Sequence, residues 1–215
     1  DNDGKDEIIW GAGAVNDDGK LMYRTGLGHG DAMHLSDLNP DRKGLEVWDV
    51  HEETGAAYGE EMHDAKTGVI IWGTYTGTDN GRGLAANVIG GNRGFEMWSA
   101  HGPGAMSKTG SVLSSTKGSM NFRIYWDGDL QDEMLDGNTI TKYGVGALLS
   151  ATGCSSVNGT KSNPCLSADI LGDWREELIL RTDDNTRLRI FTTAIPTNYR
   201  MYTLMQDAVY RAGIT

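Results

Sequence analysis

Across 215 residues the chain carries 30 Asp and Glu against 19 Lys and Arg, a formal charge of −11. That balance argues against nucleic acid and anionic membranes as partners, and no run approaches the length of a membrane-spanning helix. The 30 glycines stand against 4 prolines, and Trp and Tyr outnumber the 3 Phe, a turn-rich β composition. The acidity suits a protein that holds several calcium ions, and suits a merely soluble acidic protein equally well.

In chain order, the first element is an acidic turn running into an apolar strand, Asp1-Asn2-Asp3-Gly4-Lys5-Asp6-Glu7-Ile8-Ile9-Trp10. No signal peptide is visible, and the chain opens inside this motif, so the expectation is that the natural N-terminus lies upstream. The turn is not an EF-hand: counted from Asp1, Asp6 stands where that loop needs Gly and Ala12 where it needs Glu. A shorter calcium turn fits, with Asp1 and Asp3 binding from one side and Glu7 closing the shell. A hairpin signal follows at Asn16-Asp17-Asp18-Gly19-Lys20, ahead of Leu21-Met22-Tyr23.

The richest stretch comes next, Gly28-His29-Gly30-Asp31-Ala32-Met33-His34, running on to Val50-His51-Glu52. His29 and Asp31 are two apart, which on an extended strand puts both side chains on one face. Glu52 lies one hairpin further on. An imidazole and two carboxylates converging on one point make a divalent-metal site, and the mixed nitrogen and oxygen set differs from the all-oxygen shell of a structural calcium. His34 and His51 read as turn or supporting residues.

The acidic turn then recurs. Asp37-Leu38-Asn39-Pro40-Asp41 leads to Leu45-Glu46-Val47-Trp48, with Asp37, Asn39 and Glu46 as candidate calcium ligands. A degraded copy spans Asn87 to Trp98. Another runs from Asp169 through Asp173 to Glu177, and offers those three residues as ligands. Glu7, Glu46, Glu96 and Glu177 align, and Asp127-Gly128-Asp129 is a secondary candidate. Hairpin turns at Asp64–Gly68 and Asp183–Thr186 separate further short strands. Regularly spaced short strands with one acidic turn per unit predict an all-β, calcium-stabilised β-propeller with about four to five blades in this chain, residues 1–215 forming one partial propeller domain. Leu130 to Leu135 is the only stretch compatible with a helix. Trp10, Trp48, Trp72 and Trp98 occupy strand positions and are expected in blade cores. Cys154 and Cys165 flank Asn158-Gly159-Thr160-Lys161; a disulfide pinning that loop and a pair of free thiols both remain open.

Taken together, His29-Gly30-Asp31-Ala32 with His34 and Asp37, the run Trp126-Asp127-Gly128-Asp129-Leu130, the loop Asn158-Gly159-Thr160-Lys161, and the block Ala168 to Glu177 continuing to Tyr202-Thr203-Leu204-Met205 resemble the bacterial rhamnogalacturonan lyases of polysaccharide lyase family 11. The resemblance covers essentially the whole chain. It implies part of an eight-bladed, calcium-studded propeller. It also implies a secreted enzyme, monomeric when complete, that cleaves the rhamnose–galacturonate backbone of rhamnogalacturonan I, a pectic polysaccharide, by calcium-assisted β-elimination. His29, Asp31 and Glu52 match three of the four ligands of the family's cleft calcium, and the remaining histidine would fall upstream of Asp1. Asn158, Gly159, Thr160 and Lys161 match its sugar-binding loop. Lys161 is the candidate base at C5 of the uronate, with a purely electrostatic clamp on the galacturonate as the alternative. The short connection from Gly73 to Gly83 implies endo action, because in this family the mode depends on whether a loop blocks the cleft. Two other classes compete. One is a calcium-stabilised propeller for adhesion or polysaccharide binding without turnover, which has no need of the His29 set or the Asn158–Lys161 loop. The other is a quinoprotein-like propeller suggested by Asp64, Gly68 and Trp72, which lacks a cofactor-pocket signature.

Overall fold

A computed structural model describes residues 3–214. Among the described residues the chain is all-β apart from short helical turns and one helix, and five antiparallel sheets follow one another along it. The first holds β1 (Ile8–Trp10), β2 (Gly13–Val15) and β3 (Leu21–Arg24). The second holds β4 (Gly30–Ser36), β5 (Glu46–His51), β6 (Glu60–Asp64) and β7 (Ile70–Thr74). The third holds β8 (Gly83–Ala86), β9 (Glu96–Ser99), β10 (Ala105–Met106) and β11 (Val112–Ser114). In the fourth are β12 (Phe122–Ile124), β13 (Glu133–Asp136), β14 (Thr139–Lys142) and β15 (Gly146–Ser150). The last contains β16 (Cys154–Ser155), β17 (Leu166–Ala168), β18 (Glu177–Thr182) and β19 (Leu188–Phe191). The strands divide between two compact units, one containing the chain up to Asn87 with Gly91–Met120, the other Val88–Gly90 with the chain from Asn121 onward.

Within the first unit, β5 is buried along its whole length, so its two faces must each find a partner. Trp48 and Val50 point into an apolar cluster with Leu38, Met62, Ala85 and Met97. Each large side chain buried there stabilises the sheet by about 1.5–3 kcal/mol. Asp49 and His51 occupy the same strand's other face, because side chains alternate. There they meet Glu61 and His63 of β6, with Asp49 directly opposite Glu61 in the register. Trp48 and Trp98 are core residues as expected and Trp72 is half-buried, whereas Trp10 is 82% exposed on β1. The second unit has its own core of Ile124, Trp126, Leu135, Ile140, Leu178 and Leu180.

The aligned glutamates have a common structural task. Glu46, Glu96, Glu133 and Glu177 open β5, β9, β13 and β18, and all four are buried. Glu46 accepts from the Asn39 N–H at 2.9 Å. Glu133 accepts from Trp126 and Asp127 at 2.9 and 3.1 Å, and Glu177 from Ile170 and Leu171, both at 2.9 Å. The carboxylates of Glu46, Glu133 and Glu177 therefore each close the turn that precedes their own strand with charge-assisted hydrogen bonds, and Glu96 accepts from the Asn92 side chain. Glu133 belongs to this set although the sequence alignment passed over it.

Leu130–Leu135, compatible with a helix in the sequence, instead leads into β13, which pairs with β12 and β14. The helix of the chain is α1 (Ala208–Ile214), started by Asp207, whose Oδ1 accepts from the Val209 and Tyr210 N–H groups. That N-cap signal was readable. Tyr210 ties α1 down, donating to Glu176 at 2.6 Å and accepting from the Asp169 N–H at 2.9 Å.

Candidate metal centre and loop

The acidic turns and the candidate site occupy opposite ends of the strands. In the second, third, fourth and fifth sheets the acidic turn follows an edge strand (β4, β8, β12 or β17) and leads to the strand opened by its glutamate. His29 and Asp31 instead stand at the start of β4, and Glu52 follows β5, the antiparallel neighbour that ends beside that start.

There the structure brings His29, Asp31 and Glu52 together, with one ligand atom from each lying within 4.8 Å of the others. The His29 Nδ1 is 3.6 Å from Asp31 Oδ1 and 3.7 Å from Glu52 Oε1. Two donors at right angles around a calcium ion at about 2.4 Å would be separated by roughly 3.4 Å, so the spacing and the donor chemistry fit a shared cation. The approach depends on a local irregularity. Gly30 pairs with His51 and Ala32 with Val50, which leaves Asp31 as the extra residue of a β-bulge. Bulges re-aim one side chain without breaking the sheet. The Glu52 N–H also donates to the His29 carbonyl at 3.2 Å.

Sequence reasoning missed two parts of this neighbourhood. One is the Asp79-Asn80-Gly81-Arg82 turn before β8: a Cβ on Gly81 would stand 3.3 Å from Asp79 Oδ1 and 3.6 Å from Asp31 Oδ2. Buried Asn80 pins the turn, donating through Nδ2 to the Gly59 carbonyl and Ser99 Oγ, while its own N–H donates to the His51 carbonyl. The Asp-Asn-Gly sequence was the available signal. The second is the buried polar face of β5 and β6. His63 Nδ1 is 2.8 Å from Glu61 Oε1, His51 Nε2 is 3.5 Å from the same oxygen, and Tyr23 hydroxyl is 3.3 Å from His63 Nε2. Burial pushes the Asp49 carboxyl up to about 6, with His51 opposing and Glu61 reinforcing the rise. Burial also pushes Tyr23 up to about 12, and the Glu61 charge adds to it. For His51, burial works against the charged ring, but Glu61, Asp49 and the His29 carbonyl outweigh it and raise its pKa. His34, by contrast, tilts over Trp48 with ring centroids 6.0 Å apart.

The acidic turns are tied by hydrogen bonds and ion pairs of their own. Asp1 lies outside the described residues. Among the described residues, neither Asp3 and Glu7, nor Asp37 and Glu46, nor Asp169, Asp173 and Glu177 form a cluster of three converging carboxylate or imidazole ligands. Hydrogen bonding explains this for the last turn. The Asp169 carboxylate accepts from Gly172 N–H, Leu204 N–H, Thr203 hydroxyl and Trp174 N–H, and Asp173 pairs with Arg175 at 2.6 Å. In the Asp37–Glu46 turn, Asn39 Oδ1 accepts from the Asp41 N–H, and Arg42 reaches Glu46 at 3.0 Å and Asp64 at 3.3 Å. The secondary candidate does converge: Asp127, Asp129 and Glu133 form a second three-carboxylate group. Its centre is served by the Lys142 ammonium, which pairs with Asp127, with Asp129 at 2.7 Å and with Glu133 at 3.0 Å.

The Asn158–Lys161 loop belongs to the second unit. Ser155 pairs with Arg181, and Leu166 with Ile179, on the same strand β18. Residues 156–165 are thus an excursion from an otherwise continuous strand, anchored at both ends. A bridge between Val157 and Asn163 and the Asn158 Nδ2 bond to Asn163 Oδ1 at 2.9 Å close its neck. Gly159–Lys161 form one 3-10 turn between two left-handed residues, Asn158 (φ 60°) and Ser162 (φ 52°). Asn tolerates that region and Ser does so at a cost, so the loop is held in one shape that presents exposed Thr160 and Lys161. Cys154 is buried and Cys165 exposed, and both are free thiols.

The family described as rhamnogalacturonan lyase family 11, C-terminal domain, matches residues 1–215. The chain is 54% identical over 219 residues to the rhamnogalacturonan endolyase YesW of Bacillus subtilis (strain 168), covering 100% of this chain and 35% of that protein. It is 47% identical over 235 residues to the rhamnogalacturonan exolyase YesX of the same organism, covering 100% of this chain and 38% of that protein. Among solved structures, it resembles a Bacillus licheniformis rhamnogalacturonan lyase with a TM-score of 0.95 at 52% identity over 99% of this chain and 37% of that one. The chain therefore spans a little over a third of the length of the relatives it matches.

Proposed function

Because the chain belongs to rhamnogalacturonan lyase family 11, as its C-terminal domain, we propose that it is part of the catalytic domain of a calcium-dependent lyase. In this reading it is a segment of a β-propeller, and the enzyme cleaves the rhamnose–galacturonate backbone of rhamnogalacturonan I by β-elimination. The observation that carries this is the convergence of His29, Asp31 and Glu52 at the start of β4. A calcium ion held by these three would neutralise the uronate carboxylate and stabilise the negative charge that builds at C5. The loop residues Asn158, Gly159, Thr160 and Lys161 bind the sugar. Lys161 accepts the C5 proton on Nζ; the C5–H electron pair becomes the C4=C5 double bond, and the C4–O4 bond breaks with its pair leaving on O4. Endo action is proposed from the short Gly73–Gly83 connection, and secretion follows from a polysaccharide substrate outside the cell. Several calcium ions are proposed for the whole protein.

The test is ultraviolet absorbance of the unsaturated product when the complete protein meets rhamnogalacturonan I with calcium. Asp31→Ala should abolish product formation while leaving the fold intact. Lys161→Ala should lower kcat far more than it raises KM if Lys161 takes the proton; a rise in KM with kcat unchanged would make it a clamp. No product under any calcium concentration would overturn the lyase reading.

A further inference from the structure

The bulge that aims Asp31 has a buried cause. An ideal Cβ on Gly30 would overlap the Asp49 carboxyl group, 2.6 Å from Oδ1 and 2.9 Å from Cγ. Asp49 therefore fills the space that any other residue at position 30 would take, directly between the two candidate ligands His29 and Asp31. Its Oδ1 accepts from the Val50 N–H at 2.9 Å, and Val50 is the residue whose pairing shifts to Ala32 across the bulge. Its Oδ2 is fully buried with no hydrogen-bond partner. A buried acid left half-satisfied is expensive. On the same face, His51 abuts the His29 carbonyl region and Glu61.

We propose that Asp49, seated in the cradle left by Gly30, is a positioning residue: it sets the β-bulge that turns Asp31 towards His29 and Glu52, and so tunes cation affinity from behind the strand. This rests on the reading of His29, Asp31 and Glu52 as a cation site. Residues that orient metal ligands without touching the metal change affinity by about 10–100-fold when altered, and Asp49 belongs in that range.

The test needs a probe that sees this site apart from any all-oxygen site. Manganese(II) supplies one, since electron spin-echo modulation from an imidazole nitrogen reports only an ion bound by histidine. The full chain is titrated with manganese as wild type, His29→Asn, Asp49→Asn and Gly30→Ala, with the thermal midpoint recorded for each. Wild type is expected to develop nitrogen modulation and His29→Asn to lose it. Asp49→Asn, which puts an amide donor in place of the buried Oδ2 and removes the charge behind the strand, and Gly30→Ala, which displaces the carboxylate, are each expected to need at least about tenfold more manganese for half-maximal modulation. If Asp49→Asn titrates like wild type, Asp49 is a packing residue only and the proposal fails while the site stands. If wild type never shows the modulation, the cation site itself fails, and the proposal with it. Should Gly30→Ala not fold, the Asp49→Asn titration decides alone.

Discussion

Replacing Lys142 by Met tests whether an ammonium serves as the built-in counter-ion of the fourth sheet's acidic turn. Met keeps most of the aliphatic stem and removes the charge. Burial alone would favour loss of the Lys142 proton, but the hydrogen bonds it donates to Asp127, Asp129 and Glu133 outweigh it and hold the group charged. Glu133 is fully buried, whereas the Asp129 side chain is 45% exposed. Removing one partner of a fully buried pair costs about 3–5 kcal/mol, an upper bound here because the Lys142 side chain is 15% exposed, and the exposed pair adds about 0–1 kcal/mol. Glu133 keeps its two backbone donors, so the net loss should be about 2–4 kcal/mol. For a chain of this size that lowers the melting temperature by roughly 5–15 °C. The vacated group, three carboxylates with ligand atoms within 4.8 Å, should then bind calcium, and saturation at about 100 times Kd would return roughly 2.7 kcal/mol. The assay is urea unfolding of wild type and Lys142→Met in chelator and in calcium. A variant within about 0.5 kcal/mol of wild type in chelator, or one that calcium helps no more than it helps wild type, would refute the counter-ion argument.

Three further outcomes are expected. Asp49 has a folded pKa of about 6 against an ordinary 3.8, so the folded state holds its proton more tightly. Its contribution is most favourable below pH 4 and is lost as pH rises through 6, to about 3 kcal/mol; urea unfolding of wild type against Asp49→Asn should show that difference growing from pH 4 to 7, and a pH-independent difference contradicts it. Tyr210→Phe removes the hydroxyl shared by Glu176 and the Asp169 N–H; a loss of about 1–3 kcal/mol should appear first as faster amide exchange in residues 203–214, and unchanged exchange there argues against the clamp. A thiol reagent should modify Cys165 quickly and Cys154 only on unfolding, with no change in melting temperature on reduction; two unreactive thiols would instead indicate a disulfide.

Local chemistry made much of this protein legible in its sequence. Asx and Gly turns act over a few residues, so the hairpins at Asp64–Gly68 and Asp183–Thr186 and the spacing of short strands could be read directly, as could the aligned glutamates. The grouping of His29, Asp31 and Glu52 was legible because a two-residue spacing and one hairpin suffice to bring them close. What the sequence could not show depends on register and burial, which are set by partners far along the chain. The alternation argument treats β4 as regular, whereas its pairing with β5 is shifted by a bulge at Asp31. Asp49, His51, Glu61 and His63 look like surface polars until β5 is seen to be covered on both faces. Asp169 shows no distant partner in the sequence, yet Thr203 and Leu204 donate to it from 34 and 35 residues away. Lys142 resembles any exposed strand residue until the β13–β14 pairing carries it onto the three carboxylates. A carboxylate in sequence announces only a need for a positive partner; tertiary structure decides whether that partner is a backbone N–H, an ammonium or a cation.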